Sequence, residues 1–250
     1  MFYLNGTEKK QLQVIIDGRN KMYIYGKNVA KEALKNNQVS SIILANNFAD
    51  EEIIKMINSN ISVVYKEKRE LDKMVNGLHQ GIILNVPDYK YCNLLDITNK
   101  ENPFLVILDH IEDPHNFGAI IRTCEAASVD GIIIPKDRSV SVNSTVMKTS
   151  AGALENMKIC LVTNLVNTIK ELKKQGFWFI GTDMLGTDYK KIDYKGKIGI
   201  IIGSEGDGIG RLVKEECDFI ASIPMTGKIN SLNASVATAI IVYEAIDKRK

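Results

Sequence analysis

The chain has 250 residues and a formal net charge of +2, with 45% hydrophobic and 25% charged residues. This composition is ordinary for a globular protein with one large or two smaller domains, and the weak net charge does not by itself indicate nucleic-acid binding. The longest apolar runs, such as residues 198–202, are too short to cross a membrane, and the start does not read as a secretory signal, so we expect a cytoplasmic protein without a membrane partner.

Cysteine and histidine are scarce, with four of the former and three of the latter. No two cysteines form a Cys-x-x-Cys pair, and the histidines are not clustered with them, so the sequence predicts no metal site. We expect the cysteines to be reduced and structural.

Residues 1–21 are polar, lack a clear period and are interpreted as an N-terminal extension. Residues 22–90 then alternate between element types and predict a small α/β domain. Its expected strands cover residues 22–26, 39–44, 61–65 and 81–86, and its expected helices cover residues 28–34, 50–57 and 67–75.

Residues 91–102 have the composition of a linker, with one short element expected near Leu94. Residues 103–250 form a second α/β domain. Its predicted strands are 104–108, 131–134, 177–180 and 198–202, and its predicted helices are 117–127 and 234–246. Strands that are apolar on both faces and alternate with helices indicate a buried parallel sheet.

Three loops of this second domain are rich in polar residues or glycine, and parallel sheets bind ligands at the carboxyl ends of their strands. The first loop, residues 109–118, leads into a helix that contains Asn116 and Arg122 six positions apart, so the two do not lie on opposite faces. An arginine there is suited to binding a phosphate. The spacing alone favours the simpler alternative, in which Asn116 caps the helix and Arg122 is a surface residue.

The second loop, residues 203–210, has four glycines in eight positions, which indicates close backbone approach or positive φ angles. The dinucleotide fingerprint fails because Arg211 replaces its last glycine, and the phosphate-loop pattern fails because Ile209 replaces its lysine. A ligand other than a pyrophosphate is therefore expected.

The third loop, residues 223–233, leads into the last helix. Ser231 or Asn233 is suited to cap that helix. A cap accounts for one of these two residues, but it does not account for several polar residues together at the start of an apolar helix.

Together, the three segments resemble the signature motifs of the SpoU group of RNA ribose methyltransferases, within the SPOUT superfamily. The resemblance covers roughly residues 104–247, in matching order and spacing. The residues that carry it are Asp113-Pro114-His115-Asn116-Phe117-Gly118 through Arg122, then Gly203-Ser204-Glu205-Gly206, then Ile223-Pro224-Met225 with Ser231-Leu232-Asn233. The small domain is similar to the L30e-like RNA-binding module of the ribosomal RNA branch, with His79-Gln80-Gly81 near its end, although a lone histidine is more often a satisfied core or edge residue.

The resemblance implies a parallel sheet with a deep trefoil knot, a methyl-donor pocket in the knot's loops at a homodimer interface, S-adenosylmethionine as cofactor and RNA as substrate. The residues it implies for catalysis are Arg122, Asn116, Glu205, Ser231 and Asn233. Those it implies for donor binding are Gly203, Ile223, Met225 and Leu232. In this scheme Asn116 fixes Arg122 or the ribose, and Glu205 hydrogen-bonds to Arg122 or Asn233.

The substrate implied is a guanosine 2'-hydroxyl, in large-subunit (23S) ribosomal RNA by the small domain, or in transfer RNA as the alternative. An RNA-binding homologue without catalysis and a nucleotide-dependent oxidoreductase remain as competing hypotheses. The presence of all the polar site residues argues against the first, and the failed glycine fingerprints argue against the second.

Overall fold

The structure is a computed structural model that describes residues 21–35, 39–75, 77–228 and 231–250. The expected N-terminal extension, except for Lys21, lies outside the described residues. The chain divides into two compact units between Tyr89 and Lys90.

The first unit is a mixed four-stranded sheet with helices. Its elements are β1 (Lys21–Tyr25), α1 (Lys27–Lys35), β2 (Ser41–Ala45), α2 (Glu51–Met56), β3 (Ser62–Lys66), α3 (Lys68–Met74) and β4 (Ile82–Pro87). The strand order is β1-β4-β2-β3, in which β4 is antiparallel to both neighbours and β2 is parallel to β3. Every element expected in this region is confirmed to within a few residues.

His79 lies in the turn before β4 and is only 3% exposed. Its Nδ1 accepts a hydrogen bond from the backbone N–H of Gly81 at 3.0 Å, so Nε2 carries the proton and donates to Asp72 at 2.8 Å. The histidine is therefore a satisfied structural residue that fixes this turn.

The second unit is a six-stranded sheet in which every strand pair is parallel, in the order β10-β8-β9-β5-β6-β7. Its strands are β5 (Phe104–Asp109), β6 (Gly131–Pro135), β7 (Ile159–Val162), β8 (Trp178–Asp188), β9 (Ile198–Gly203) and β10 (Phe219–Ser222). Its helices are α4 (Leu95–Thr98), α5 (Pro114–Ala126), α6 (Ser144–Thr149), α7 (Leu165–Lys173), α8 (Arg211–Glu215) and α9 (Ala234–Arg249), with 3₁₀ turns at Ala153–Glu155 and Tyr189–Lys191.

The central strands β5 and β9 are buried along their whole length, as the parallel sheet predicted from their apolar runs requires. On one face of the sheet, Ile107 and Phe179 pack in a cluster with residues of α7 and α8, such as Ile169 and Val213. Helix α9 contacts both α5 and β9. The sheet is thus a buried central layer, and its carboxyl edge carries the loops of interest.

Most elements that the sequence did not predict are short or polar, whereas α7, also not predicted, has nine residues and a buried apolar face. Strands β7 and β10 have four residues each, and α8 has five. Strand β8 was expected to end at residue 180 but continues to Asp188. Its last two residues, Thr187 and Asp188, pair with β10 after a register shift between Ile220 and Ala221. Hydrophobic periodicity does not predict a strand segment that lacks a regular apolar pattern.

Residues 91–102, expected to be a linker, pack on the second unit. The Cys92 backbone N–H donates to the Ile159 carbonyl at 2.8 Å, and Ile97 of α4 is 1% exposed within the core. Cys92 and Cys160 are joined as a disulfide, with their Cα atoms 4.9 Å apart. The expectation that all four cysteines are reduced is therefore wrong for this pair, because the fold brings together two residues 68 positions apart.

No helix among the described residues is both long enough and apolar enough to span a membrane.

Candidate active site

Three loops reach the carboxyl edge of the six-stranded sheet, after β5, β9 and β10. Strands β5 and β9 are direct neighbours, and Asp109 at the end of β5 is in register with Gly203 at the end of β9. Segments that are distant in the chain therefore meet at one edge.

The loop after β5 leads into α5, which begins with Asp113 as N-cap and Pro114 as its first residue. The Asp113 carboxylate accepts the backbone N–H of His115 at 2.9 Å. Asn116 lies in the first turn and is buried, so the expectation that it caps the helix is wrong. Because Asp113 caps the helix instead, the Asn116 side chain is left for contacts across the sheet edge.

The loop after β9, residues 203–210, is named here the glycine loop. Ser204 and Gly208 exchange backbone hydrogen bonds of 3.1 and 3.0 Å, which closes the loop into a tight turn. A Cβ on Gly203 would lie 2.0 Å from the Gly208 carbonyl carbon, so only glycine permits this close passage. A Cβ on Gly206 would meet no atom within 4 Å, so the backbone there is open.

The loop after β10 ends at Asn233, which is the one of the two candidate caps, Ser231 and Asn233, that caps α9. Its Oδ1 accepts from the backbone N–H groups of Ser235 at 3.0 Å and Val236 at 3.4 Å. This leaves its Nδ2 group free to donate elsewhere.

Asn116, Glu205 and Asn233 form a closed triangle of hydrogen bonds, here named the amide–carboxylate triangle. Glu205 Oε1 accepts from Asn116 Nδ2 at 2.8 Å and from Asn233 Nδ2 at 2.6 Å. Asn233 Nδ2 also donates to Asn116 Oδ1 at 2.8 Å. One side chain from each of the three loops is therefore locked to the other two.

Arg122 is exposed on α5, two turns after Asn116, and has no hydrogen bond or ion pair among the described residues. Of the two partners expected for Glu205, the structure joins it to Asn233 and not to Arg122. The expected contact between Asn116 and Arg122 is likewise not formed. The guanidinium is therefore available to a ligand outside the triangle.

A cavity of about 240 Å³ lies beside the triangle. Six of the residues expected at the site line it: Gly203, Glu205, Ile223, Met225, Ser231 and Leu232. Its wall combines the glycine loop backbone with apolar side chains, which suits a ligand with both a polar and an apolar part.

Thr182 and Asp183 also line this cavity, and the sequence did not predict them. They lie in the polar second half of β8, so the apolar pattern that identified the strand stops just before them. The hydrogen bond from Lys214 at 2.7 Å, helped by one from the Leu185 backbone N–H, lowers the pKa of Asp183. This carboxylate is ionised at neutral pH and lines the cavity as an ion pair with Lys214.

The thiols of the two free cysteines, Cys124 and Cys217, are poor nucleophiles. Burial raises the pKa of the Cys217 thiol to about 12 and also raises the pKa of Cys124, so neither is a nucleophile at neutral pH. Across residues 21–35, 39–75, 77–228 and 231–250, no group of three or more His, Cys, Asp or Glu side chains is placed to hold a metal ion.

Two family models match the chain. Residues 103–243 match the SpoU rRNA Methylase family, and residues 23–92 match the family described as RNA 2'-O ribose methyltransferase substrate binding. The first match covers the three loops and the cavity, and the second covers the first unit.

The chain is similar to a Bacillus subtilis protein named putative TrmH family tRNA/rRNA methyltransferase YacO, with 42% identity over 238 residues, covering 91% of this chain and 96% of that protein. A Staphylococcus saprophyticus protein with the same family name is 42% identical over 237 residues, covering 90% and 95%.

Among solved structures, an AdoMet-bound rRNA methyltransferase from Sinorhizobium meliloti has a TM-score of 0.71 at 25% identity, covering 96% of this chain and 90% of that one. The SpoU methyltransferase AviRb from Streptomyces viridochromogenes, in complex with AdoMet, also has a TM-score of 0.71, at 21% identity and with 97% and 98% coverage, and supports the fold alone.

The two roles of Asn233, as helix cap and as triangle member, are separable by substitution. Asn233→Ser keeps a capping oxygen and removes the Nδ2 donor, so we expect its stability to stay near that of the parent. Asn233→Ala removes both and should cost about 1 kcal/mol of unfolding free energy, as the loss of a cap does. Urea unfolding measures the difference, with Asn164→Ala, which removes the matching cap of α7, as the control. A serine variant as unstable as the alanine variant would contradict this separation.

Proposed function

The chain belongs to the SpoU rRNA methylase family, and from that premise we propose that it transfers the methyl group of S-adenosylmethionine to a ribose 2'-hydroxyl of RNA. The observation that carries the proposal is the amide–carboxylate triangle, which joins the three motif loops at the edge of one cavity. The relatives' names support a methyltransferase of transfer or ribosomal RNA. Bacterial RNA of either kind is cytoplasmic, in keeping with the expected location.

The cavity fits the methyl donor in its chemistry. Gly203, Ile223, Met225 and Leu232 would hold the donor, the first through its backbone and the others through apolar surface as well. The open backbone at Gly206 gives room for a ligand to approach. The Asp183 carboxylate complements a positively charged ligand. When bound, the donor supplies an electrophilic methyl group on a good leaving group.

The protein's own residues must then orient the ribose hydroxyl in line with that methyl group and assist the loss of its proton. We assign Arg122 to binding and orienting a phosphate of the RNA, since a guanidinium keeps its proton at neutral pH and is therefore a poor base. Its exposure and lack of a partner among the described residues suit that role. Proton loss is then assisted by the phosphate or a neighbouring group.

The triangle sets the positions of the remaining polar groups. With Asn116 and Asn233 both donating to one oxygen of Glu205, the second carboxylate oxygen has no partner among the described residues and is left for the substrate. Ser231 lines the same cavity and would contact substrate or donor. In this arrangement the triangle orients ligands, and the donor is held mainly by the loops.

We further propose that the second unit contains the family's deep trefoil knot and that the first unit is an L30e-like RNA-binding module. The first unit's match to a substrate-binding family supports the latter assignment. The resemblance of this unit to the module of the ribosomal RNA branch makes a guanosine of the 23S molecule our preferred target, with transfer RNA as the alternative.

The first prediction from this proposal concerns Arg122. Arg122→Ala should lose nearly all methyl transfer to RNA and still bind S-adenosylmethionine, because the residue does not line the cavity. Transfer of labelled methyl groups, with mapping of 2'-O-methyl positions in RNA from a deletion strain, measures the activity and identifies the target. Arg211→Ala, which removes another exposed arginine, is the control. Turnover of Arg122→Ala within about threefold of the parent would contradict the assignment, since loss of a group acting in the transition state costs more.

The second prediction is that the protein is a homodimer through α9. The buried face of this helix consists of Ala234, Thr238, Ile241, Val242 and Ala245. A second apolar stripe of this helix is partly or fully exposed in the single chain, and it consists of Val236, Ala239, Ile240, Tyr243 and Ile246. The sequence alone is equally compatible with burial of this stripe in the monomer core and with association, and the family resemblance favours association. None of the five side chains is fully buried in the monomer core, which supports a partner chain.

Light scattering at micromolar concentration should therefore give the mass of a dimer. Val236→Glu, at a position 47% exposed, should shift the mass toward that of a monomer because the charge would be buried at the interface. Ile54→Glu, at a position 44% exposed in the first unit, should leave the dimer intact. A parent protein that is monomeric would refute the proposal.

The third prediction separates the two units. A fragment Lys90–Lys250 should bind S-adenosylmethionine like the full chain but bind target RNA much more weakly, and RNA binding by the full chain should fall with salt. The fragment must begin at Lys90 because Cys92 and Ile97 pack into the second unit. Titrations of donor and RNA against both proteins test this. If the fragment binds and methylates RNA as well as the full chain does, the first unit is not the part that recognises RNA.

A further inference from the structure

Asp109, the last residue of β5, has a carboxylate that is almost completely buried, with 1% of its side chain exposed. One oxygen accepts the backbone N–H of Gly210 at 2.7 Å, and the other accepts from Nδ1 of His110. No lysine or arginine pairs with it among the described residues. Its partners are therefore one backbone amide and one half-exposed imidazole.

A buried carboxylate with so few partners is costly to maintain, since removing it from water costs several kcal/mol that only good hydrogen bonds offset. Neither of its contacts is needed to form β5, because the strand is held by backbone pairing on both sides. The position of the contacts indicates what the carboxylate does.

Asp109 touches both ends of the glycine loop. Its backbone is in register with Gly203, where the loop leaves β9, and its carboxylate binds the N–H of Gly210, where the loop ends. Between these points lie Glu205 of the triangle and the backbone that lines the cavity. The width of the loop is thus set by one residue of the neighbouring strand.

We propose that Asp109 is a positioning residue for methyl-donor binding, which clamps the two ends of the glycine loop so that its backbone keeps the shape of the donor cavity. This inference rests on the proposed function, because it assigns the donor to that cavity. Asp109 does not line the cavity and acts through Gly210. Its loss should weaken donor binding more than it slows turnover at saturating donor.

Asp130 offers a matched control at the opposite edge of the same sheet. Its carboxylate accepts the backbone N–H of Phe104 at 2.8 Å and pairs with Lys100, and its side chain is 10% exposed. It therefore binds a backbone amide and a side-chain donor as Asp109 does, but at the amino end of β5 and away from the donor cavity.

The experiment compares Asp109→Asn with Asp130→Asn in the full chain. Asparagine is nearly isosteric and weakens charge-assisted hydrogen bonds at both sites. For Asp109→Asn, we expect the dissociation constant for S-adenosylmethionine, measured by calorimetry, to rise at least about tenfold, as the loss of a hydrogen bond to a charged group predicts. Turnover at saturating donor should stay within about threefold of the parent. Asp130→Asn should lower the melting temperature without changing the dissociation constant.

An increase for Asp109→Asn no larger than that for Asp130→Asn would overturn the proposal, because a merely structural role predicts equal effects. If Asp109→Asn does not fold, Gly210→Pro decides the question, because proline is compatible with the φ of −56° at this position and removes the backbone N–H that the Asp109 carboxylate binds. A rise of at least about threefold in the dissociation constant then supports the clamp, and an unchanged value overturns it. Failure of the parent chain to bind the donor would refute the proposed function itself.

Discussion

The parallel pairing of β5 with β9 is the constraint on which the rest of the structure depends. It places Asp109 beside Gly203, although 94 positions separate them in the chain, and so brings the starts of two loops to one point. The strand pairing, and not a contact within either loop, brings Asn116 and Glu205 within hydrogen-bond distance of each other. Because both strands are buried on both faces, neither can slip without exposing isoleucines or burying polar groups.

Much of the fold follows from hydrophobic periodicity, since the strands of the first unit and the central strands of the second are apolar runs bounded by polar residues. Periodicity does not identify strands that form only because a neighbouring strand pairs with them. The second half of β8 is a strand only because β10 lies beside it, and β10 has too few residues to be predicted alone. The Cys92–Cys160 pairing is of the same kind, because it depends on β7 lying at the sheet edge.

The sequence predicted most residues of the candidate site but not the hydrogen bonds between them. Clusters of Asn, Ser, Glu and Gly at strand ends mark the three loops, and the cap at Asn233 follows from helix-start preferences. Which donor meets which acceptor depends on a few ångströms of geometry. Arg122 and Glu205 were both expected at the site, yet the described residues hold Glu205 with two amides and leave Arg122 exposed. Thr182 and Asp183 were missed because they lie where the strand pattern has already ended.

The glycines after β9 show why a failed motif is informative. In the dinucleotide and phosphate motifs, glycines let a phosphate approach the backbone at a helix start. Here the absence of a side chain on Gly203 instead lets the backbone of Gly208 approach it closely. Hydrogen bonds between Ser204 and Gly208 then close the loop into a tight turn. The loop therefore presents its outer backbone to a cavity bounded by apolar side chains and the Asp183 carboxylate. No lysine or arginine is among the described residues that line this cavity, so it offers a pyrophosphate no cationic partner, whereas a sulfonium needs none. This electrostatic difference separates the proposed donor from a nucleotide cofactor.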